Sequence, residues 1–294
     1  MQAAEDSFLL DRPGIRDAFD RASAHYEAAA VLQARVEAEM LDRLSFFRLE
    51  PRVVLDLGSG PGRGTAALKR AYPQASVVAL DFAPGMLREA QHYLTGDAPQ
   101  FQRVCADALR LPFADASADV VYSSLMLQWC DDLLIAFREV RRVLRPGGLF
   151  LFSTFGPDTL MELRDAWAAA DGDVHVNRFV DMHNVGDGLT RAGLSEPVLD
   201  VERVQLTYLD VRSLMRDLKA IGAHNVAVGR ARGLTTPARF RKVEAAYELL
   251  RKDGRLPATY EVVYGVAWGS EARRGASVEG GEVVIFPAEI RRRG

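Results

Sequence analysis

Val53-Val54-Leu55-Asp56-Leu57 runs directly into Gly58-Ser59-Gly60-Pro61-Gly62, and this junction constrains the chain more than any other segment. A short β-branched run bounded by Pro51 and a glycine cluster reads as a buried strand. The glycines permit a tight turn and let a ligand approach the backbone at the strand's carboxyl end. Asp56 stands inside the run, where a carboxylate is costly without a partner. An ammonium group, reached directly or through water, would be such a partner. Pro61, between the second and third glycines, departs from the usual pyrophosphate cradle. The glycine pattern alone also suits dinucleotide loops, flavin loops or a turn with no ligand.

Comparable apolar runs recur at 76–80, 101–105, 119–123 and 149–154, separated by helical patterns at 64–71, 85–93 and 133–144. This alternation predicts a parallel sheet with helices on both faces. Pro146-Gly147-Gly148 predicts a sharp turn from helix into strand. Ahead of the first strand, 13–48 reads as helical: Ala18, Phe19, Ala22 and Tyr26, then Val31, Leu32, Val36, Met40, Leu41 and Leu44, fall at helical spacing. Beyond 156 the spacing predicts a helix at 159–170, a polar irregular stretch at 171–184, strands at 197–208 and 259–268, and helices over 210–250 broken at Gly222. A chain of 294 residues with 48% hydrophobic content suits one domain with insertions.

Two further acids follow the next two strands. Asp81 lies nineteen residues after Gly62, placed either to accept from both ribose hydroxyls or to cap the helix that follows. Asp107, in Cys105-Ala106-Asp107-Ala108-Leu109, is placed to accept from an adenine amino group beside the Ala108 N–H, or to serve a turn. All three acids share one sheet edge.

In this order, VLDLGSGPG (54–62), VVALD (77–81), CADALRLPF (105–113), DVVYSS (119–124) and LRPGG (144–148) resemble the class I S-adenosylmethionine methyltransferases over roughly residues 50–156. The resemblance implies a Rossmann-like α/β fold: a seven-stranded, mostly parallel sheet with an antiparallel last strand and a helical cap. It implies S-adenosyl-L-methionine as cofactor. Asp56 and Gly58 would face the methionine end, Asp81 the ribose, and Asp107 with Ala108 the adenine, with Ser59, Gly60, Gly62, Phe82, Met86 and Ser124 further cofactor contacts. Residues 1–48 would form a cap over the cofactor, 49–269 the methyltransferase domain with a helical insertion at about 209–252, and 270–294 a flexible tail.

Four stretches are similar to the malonyl-acyl-carrier-protein O-methyltransferases of biotin synthesis. They are FDRASAHY (19–26) with Leu32-Gln33; Leu127-Gln128-Trp129-Cys130; His175-Val176-Asn177-Arg178-Phe179; and Leu218-Lys219-Ala220-Ile221-Gly222-Ala223 with Leu256-Pro257-Ala258-Thr259-Tyr260. This implies methyl transfer to the free carboxylate of a malonyl thioester on acyl carrier protein. FGPDTLMELR (155–164) also resembles an S-adenosylmethionine-binding arginine hydroxylase that assembles respiratory complex I, and a small-molecule methyltransferase is a third reading. A malonyl carboxylate is ionised at neutral pH and needs no general base. The protein has only to align the reacting atoms and exclude water. Tyr26, Gln128 and Trp129 are candidates for that alignment, and Arg178 and Lys219 for gripping the carboxylate. Tyr26 and Trp129 also suit plain packing, and His175 a loop cap. No second histidine stands at metal spacing, so no metal is expected.

A net charge of −3 with 26% charged residues gives no global pull toward nucleic acid or membrane. An acidic acyl carrier protein needs a local basic patch. Arg138, Arg141, Arg142 and Arg145 share one helix face, with Arg12, Arg16, Arg230, Arg232, Arg239, Arg241 and Lys242 elsewhere; each set also reads as a solvated surface. Two cysteines, Cys105 and Cys130, in apolar or site-like stretches argue against a disulfide framework. With no signal sequence and no apolar run of about 18 residues, the cytoplasm is the expected location.

Overall fold

The computed structural model describes residues 10–95, 100–171, 173–223, 225–226 and 235–270. In chain order the elements are α1 (Arg12–Ala29), α2 (Val31–Ser45), β1 (Val53–Leu57), α3 (Arg63–Ala71), β2 (Ser76–Asp81), α4 (Pro84–Glu89), β3 (Gln102–Cys105), β4 (Ala118–Ser123) and α5 (Leu133–Val143). They continue with β5 (Leu144–Phe155), α6 (Met161–Ala168), α7 (Met182–Ala192), β6 (Leu194–Tyr208), α8 (Val211–Ala220), α9 (Pro237–Glu248) and β7 (Leu256–Gly269). The strands form one sheet in the order β3-β2-β1-β4-β5-β7-β6. β1 to β5 pair in parallel, and β7 runs antiparallel to both β5 and β6.

Successive strand residues face opposite sides of a sheet. Leu55, Leu57, Val78, Val121 and Phe150 pack on one side against Phe137 and Val140 of α5 and Leu189 of α7. Val54, Val77, Val120 and Leu149 pack on the other against Val36 and Met40 of α2 and Leu68 of α3. Because both faces are covered, the strands read as unbroken apolar runs. The sheet order reverses at β1, which lies between β2 and β4, and ligands in such folds bind beyond the carboxyl ends at this reversal.

The structure corrects several boundaries. The single helix expected at 13–48 is two, separated at Ala30 (φ −82°, ψ 49°). The helix at 85–93 ends as α4 at Glu89 and continues as a 3₁₀ turn, Ala90–Leu94. Leu144 already pairs with Ala118, so Pro146-Gly147-Gly148 is an irregularity inside β5 and not a turn ahead of it. α7 begins within the stretch expected to be irregular; Asp181 caps it by accepting from the His183 N–H, and Gly193, at φ +86°, ends it.

β7 pairs with β5 only from Val262 onward, while its residues 256–261 pair with β6 alone. This two-stranded ladder therefore overshoots the carboxyl edge of the sheet by about 20 Å at ~3.3 Å per residue. No helix among the described residues is long and apolar enough to cross a membrane.

Phe137 is fully buried, with ring centroids 6.1 Å from Phe150 and 6.0 Å from Phe152. Phe137→Ala should lower unfolding stability by about 3–5 kcal/mol, measured by denaturant titration.

Candidate active site

The loop after β1 requires its glycines. Gly58, Gly60 and Gly62 have φ of +72°, +54° and +92°. A Cβ on Gly58 would lie 2.2 Å from Met126 Cγ. The Gly58 and Ser59 N–H groups donate to the Leu80 carbonyl at 2.8 and 3.0 Å, tying the loop to β2. Gly62 is different: it precedes α3 and packs against Ala90 and Phe101, and it lines neither the cleft nor its side pocket.

Asp56 is buried and accepts a hydrogen bond from Thr65 Oγ1 at 2.5 Å. Burial pushes its carboxyl up to about 7; Thr65 opposes this, and Glu37 and Asp81 add to it. Asp56 borders a small side pocket with Tyr26, Ser59, Tyr122 and Ser124. Ser59 Oγ is buried there without a hydrogen-bond partner among the described residues. Asp81 accepts from Gly60 N and Ala83 N, both at 2.9 Å. Burial raises its carboxyl to about 6, against the backbone N–H groups of Ala83, Gly60 and Phe82. It does not cap α4; that helix has Ala83 at its N-cap position, and Asp20 of α1 accepts from the Gly85 N–H. Phe82, Met86, Asp107 and Ala108 continue the cleft wall. Asp107 accepts from the Leu109 N–H at 2.9 Å and from the Arg12 guanidinium at 2.5 Å, so the end of α1 holds the third acid.

α1 crosses the open side of this groove. Tyr26 Cε1 lies 4.0 Å from where a Gly60 Cβ would stand, and Phe19 meets Trp129 edge-on at 5.2 Å. Burial raises the Tyr26 hydroxyl above the ordinary phenol range, Asp81 and Glu37 adding and Arg63 opposing, so it stays a neutral donor. Leu125, strained at φ +48°, is held by two hydrogen bonds from its N–H to Ser153, at 3.1 Å each. Gln128 Nε2 then donates to the Leu125 carbonyl at 2.5 Å, and Thr154 Oγ1 donates to Gln128 Oε1 at 3.4 Å. Cys130 lies against Met126 Sδ at 3.7 Å, and burial pushes its thiol up to about 12. Cys105, expected in an apolar setting, is exposed; both cysteines are free.

The cleft, about 1000 Å³ in volume, continues into an apolar half walled by Phe155, Leu163, Trp167, Phe179, Tyr208 and Tyr260. The last two come from the β6/β7 overshoot. His175 also lines this half, stacked on Trp167 at 3.7 Å and 14°, with Nε2 2.8 Å from Asp171 Oδ1. Lys219 is an exposed lining residue. Arg178 is not among the wall residues: Val176 and Phe179 line the cleft while Arg178 is exposed. Asp171, Asp173 and His175 bring three ligand-type atoms within 4.8 Å of one another. The Arg239 guanidinium occupies the neighbouring space, with Nε 2.9 Å from Asp171 and Nη2 3.3 Å from Asp173, and supplies the positive charge a cation would bring.

The basic helix face expected of Arg138, Arg141, Arg142 and Arg145 is not continuous, because α5 ends at Val143 and Arg145 stands in β5, and its arginines are largely committed internally. Arg142 bonds Glu139, Asp115 and the carbonyls of Leu111 and Phe113; Arg145 bonds Asp119 and Ala116 O; Arg141 bonds Ser270. Arg138, Arg16, Arg241 and Lys242 are exposed, and Arg230 and Arg232 lie outside the described residues.

Comparison with known proteins agrees with this architecture. Residues 55–152 match the methyltransferase domain family. The chain is 52% identical to the malonyl-[acyl-carrier protein] O-methyltransferase of Methylovorus sp. (strain MP688), over 91% of this chain and 92% of that one. It is 50% identical to the protein of the same name from Laribacter hongkongensis, over 95% and 97%. Among solved structures, the YcgJ protein from Bacillus subtilis superposes with a TM-score of 0.56 at 17% identity, covering 80% of this chain and all of that one.

Asp56 and Asp81 both bind protons more tightly folded than unfolded. Their stabilising contribution is therefore full below about pH 4 and is lost as pH rises through 6 and 7. The melting temperature of the ligand-free protein should fall over that interval, and Asp56→Asn should flatten the fall in a thermal scan series.

Proposed function

The chain belongs to the malonyl-[acyl-carrier protein] O-methyltransferase family, and on that premise we propose how its cleft serves the reaction. It is an S-adenosylmethionine-dependent O-methyltransferase that esterifies the free carboxylate of a malonyl thioester on acyl carrier protein, an early step toward biotin. The relatives' names favour this over arginine hydroxylation or methylation of a small molecule.

One observation carries the site assignment: Asp56 and the unpartnered Ser59 hydroxyl border a pocket that shares Tyr26, Gly58, Gly60 and Ser124 with the main cleft, where Asp81 lies. That donor and acceptor set fits the cofactor. Asp56 and Ser59 would hold the amino-acid end, Asp81 the ribose hydroxyls, and Asp107 with the Ala108 N–H the adenine edge. Phe82 and Met86 would pack the nucleoside, and Gly58, Gly60 and Ser124 would line its path. Bound S-adenosylmethionine supplies a methyl group on a sulfonium.

The chain's own residues do the rest by placement. The acceptor carboxylate arrives ionised, so no side chain has to remove a proton. Tyr26, kept neutral, donates its O–H to an acceptor oxygen. The Gln128 amide, pinned at both ends, fixes the acceptor's approach. Phe19 and Trp129 close the seam under α1 and keep water out, which strengthens the attraction between carboxylate and sulfonium. α1 acts as the cap over the cofactor. Lys219 offsets acceptor charge from the rim. The carrier protein itself would dock through exposed cations such as Arg16, Arg138, Arg241 and Lys242.

Incubation with malonyl-acyl carrier protein and methyl-labelled S-adenosylmethionine should give a labelled methyl ester by mass spectrometry; an unchanged carrier would defeat the reading. Tyr26→Phe should lower kcat roughly tenfold, with little change in cofactor Kd by calorimetry. Because the cofactor favours the ionised acids, its affinity should tighten as pH rises from about 6 to 8.

A further inference from the structure

The apolar half of the cleft holds one imidazole whose orientation is imposed. His175 stacks on Trp167 with ring centroids 3.7 Å apart, and its Nε2 lies 2.8 Å from Asp171 Oδ1. Asp171 is itself held. Its Oδ1 also accepts from the Asp173 N–H at 2.9 Å, and Oδ2 faces Arg239 Nε of α9 at 2.9 Å. Burial opposes ionisation of Asp171, but the Asp173 N–H, His175 and Arg239 together hold its carboxyl below the usual range. A carboxylate only accepts hydrogen bonds, so Nε2 must carry the proton that lies between them. In the neutral ring this leaves Nδ1 as a lone-pair acceptor, fixed in direction by the stack and by Asp171. Nδ1 has no partner and is not a sealed orphan among the described residues, while His175 lines the cleft.

A fixed acceptor in the wall of the cleft suits a donor that arrives with the ligand. The acyl group itself, a carboxylate and a thioester, offers only acceptors. The N–H donors lie further along, in the secondary amides of the arm that carries the thioester. We propose that His175 is a positioning residue for that arm: Nδ1 accepts a hydrogen bond from an arm amide N–H, with Asp171 and Arg239 holding the ring in register. The proposal rests on the malonyl-thioester reading and adds the part of the acceptor that the chain recognises.

The test pairs two acceptors with two variants. Malonyl-pantetheine carries the amides, and the S-ethyl thioester of malonate carries none. His175→Phe keeps an aromatic ring on Trp167 but has no nitrogen. Asp171→Asn lets Nε2 accept from the new amide, so that Nδ1 becomes a donor. Each variant should lose roughly tenfold in kcat/KM on malonyl-pantetheine and stay within twofold of the parent on the S-ethyl thioester. Calorimetry of pantetheine on protein loaded with S-adenosylhomocysteine should show the same loss in binding, independent of turnover. Equal losses on both acceptors, or none on either with unchanged pantetheine binding, would overturn the role of His175 while leaving the enzyme's activity standing. A parent protein that methylates neither acceptor nor the malonyl carrier protein would instead overturn the reading beneath it, and this inference with it.

Discussion

Asp81 accepts from the amides of Gly60 and Ala83, and through those two bonds the loop after β1 is joined to the loop after β2. The same join is made from the other direction by the Gly58 and Ser59 amides on the Leu80 carbonyl. The geometry of the ligand groove depends on this clasp. It holds three left-handed glycines in place, stations Asp56 behind them and leaves the groove open toward α1. Its cost is a second buried carboxyl near the first, and both are pushed toward neutrality. A positively charged or hydroxyl-rich ligand relieves that cost, so strain in the free protein becomes affinity for the ligand.

The cap reaches the groove by polar contacts. Arg12 holds Asp107, Asp20 caps α4 through the Gly85 N–H, Tyr93 donates to Glu27, and Arg63 pairs with Glu37. Each contact joins one of the first two helices to a loop or helix at the ligand-bearing edge. Their partly exposed ion pairs are individually weak. α2 is packed into the core through Val36 and Met40, whereas α1 buries only Ile15, Ala18 and Ser23, which suits a cover over a groove that must load and empty.

Much of this was legible in the chain. The parallel strands announced themselves because burial on both faces demands unbroken apolar runs, and Asp56, Asp81 and Asp107 were marked by standing within or just past the carboxyl ends of successive strands. α7 was hidden because its only fully buried side chains, Val185 and Leu189, sit among polar residues. The start of β5 was hidden because Pro146-Gly147-Gly148 reads as a turn in one dimension and becomes a bulge once Leu144 pairs with Ala118. Arg178 and Lys219 could not be told apart, since a local turn decides which charge faces the cavity. Arg138, Arg141 and Arg142 lie on α5 but Arg145 already stands in β5, and Asp115, Asp119 and the carbonyls that engage Arg142 and Arg145 come from distant loops.

The overshoot of β6 and β7 gives the acceptor half a character unlike that of the cap. Tyr208 and Tyr260 stand on a ladder hydrogen-bonded rung by rung down into the sheet. Such a wall has almost no freedom to reshape itself around a guest. The cavity thus resembles a vise with one jaw cast into the frame and the other, α1, fastened mainly by polar contacts. A differently shaped acceptor would have to be accommodated by that second jaw alone.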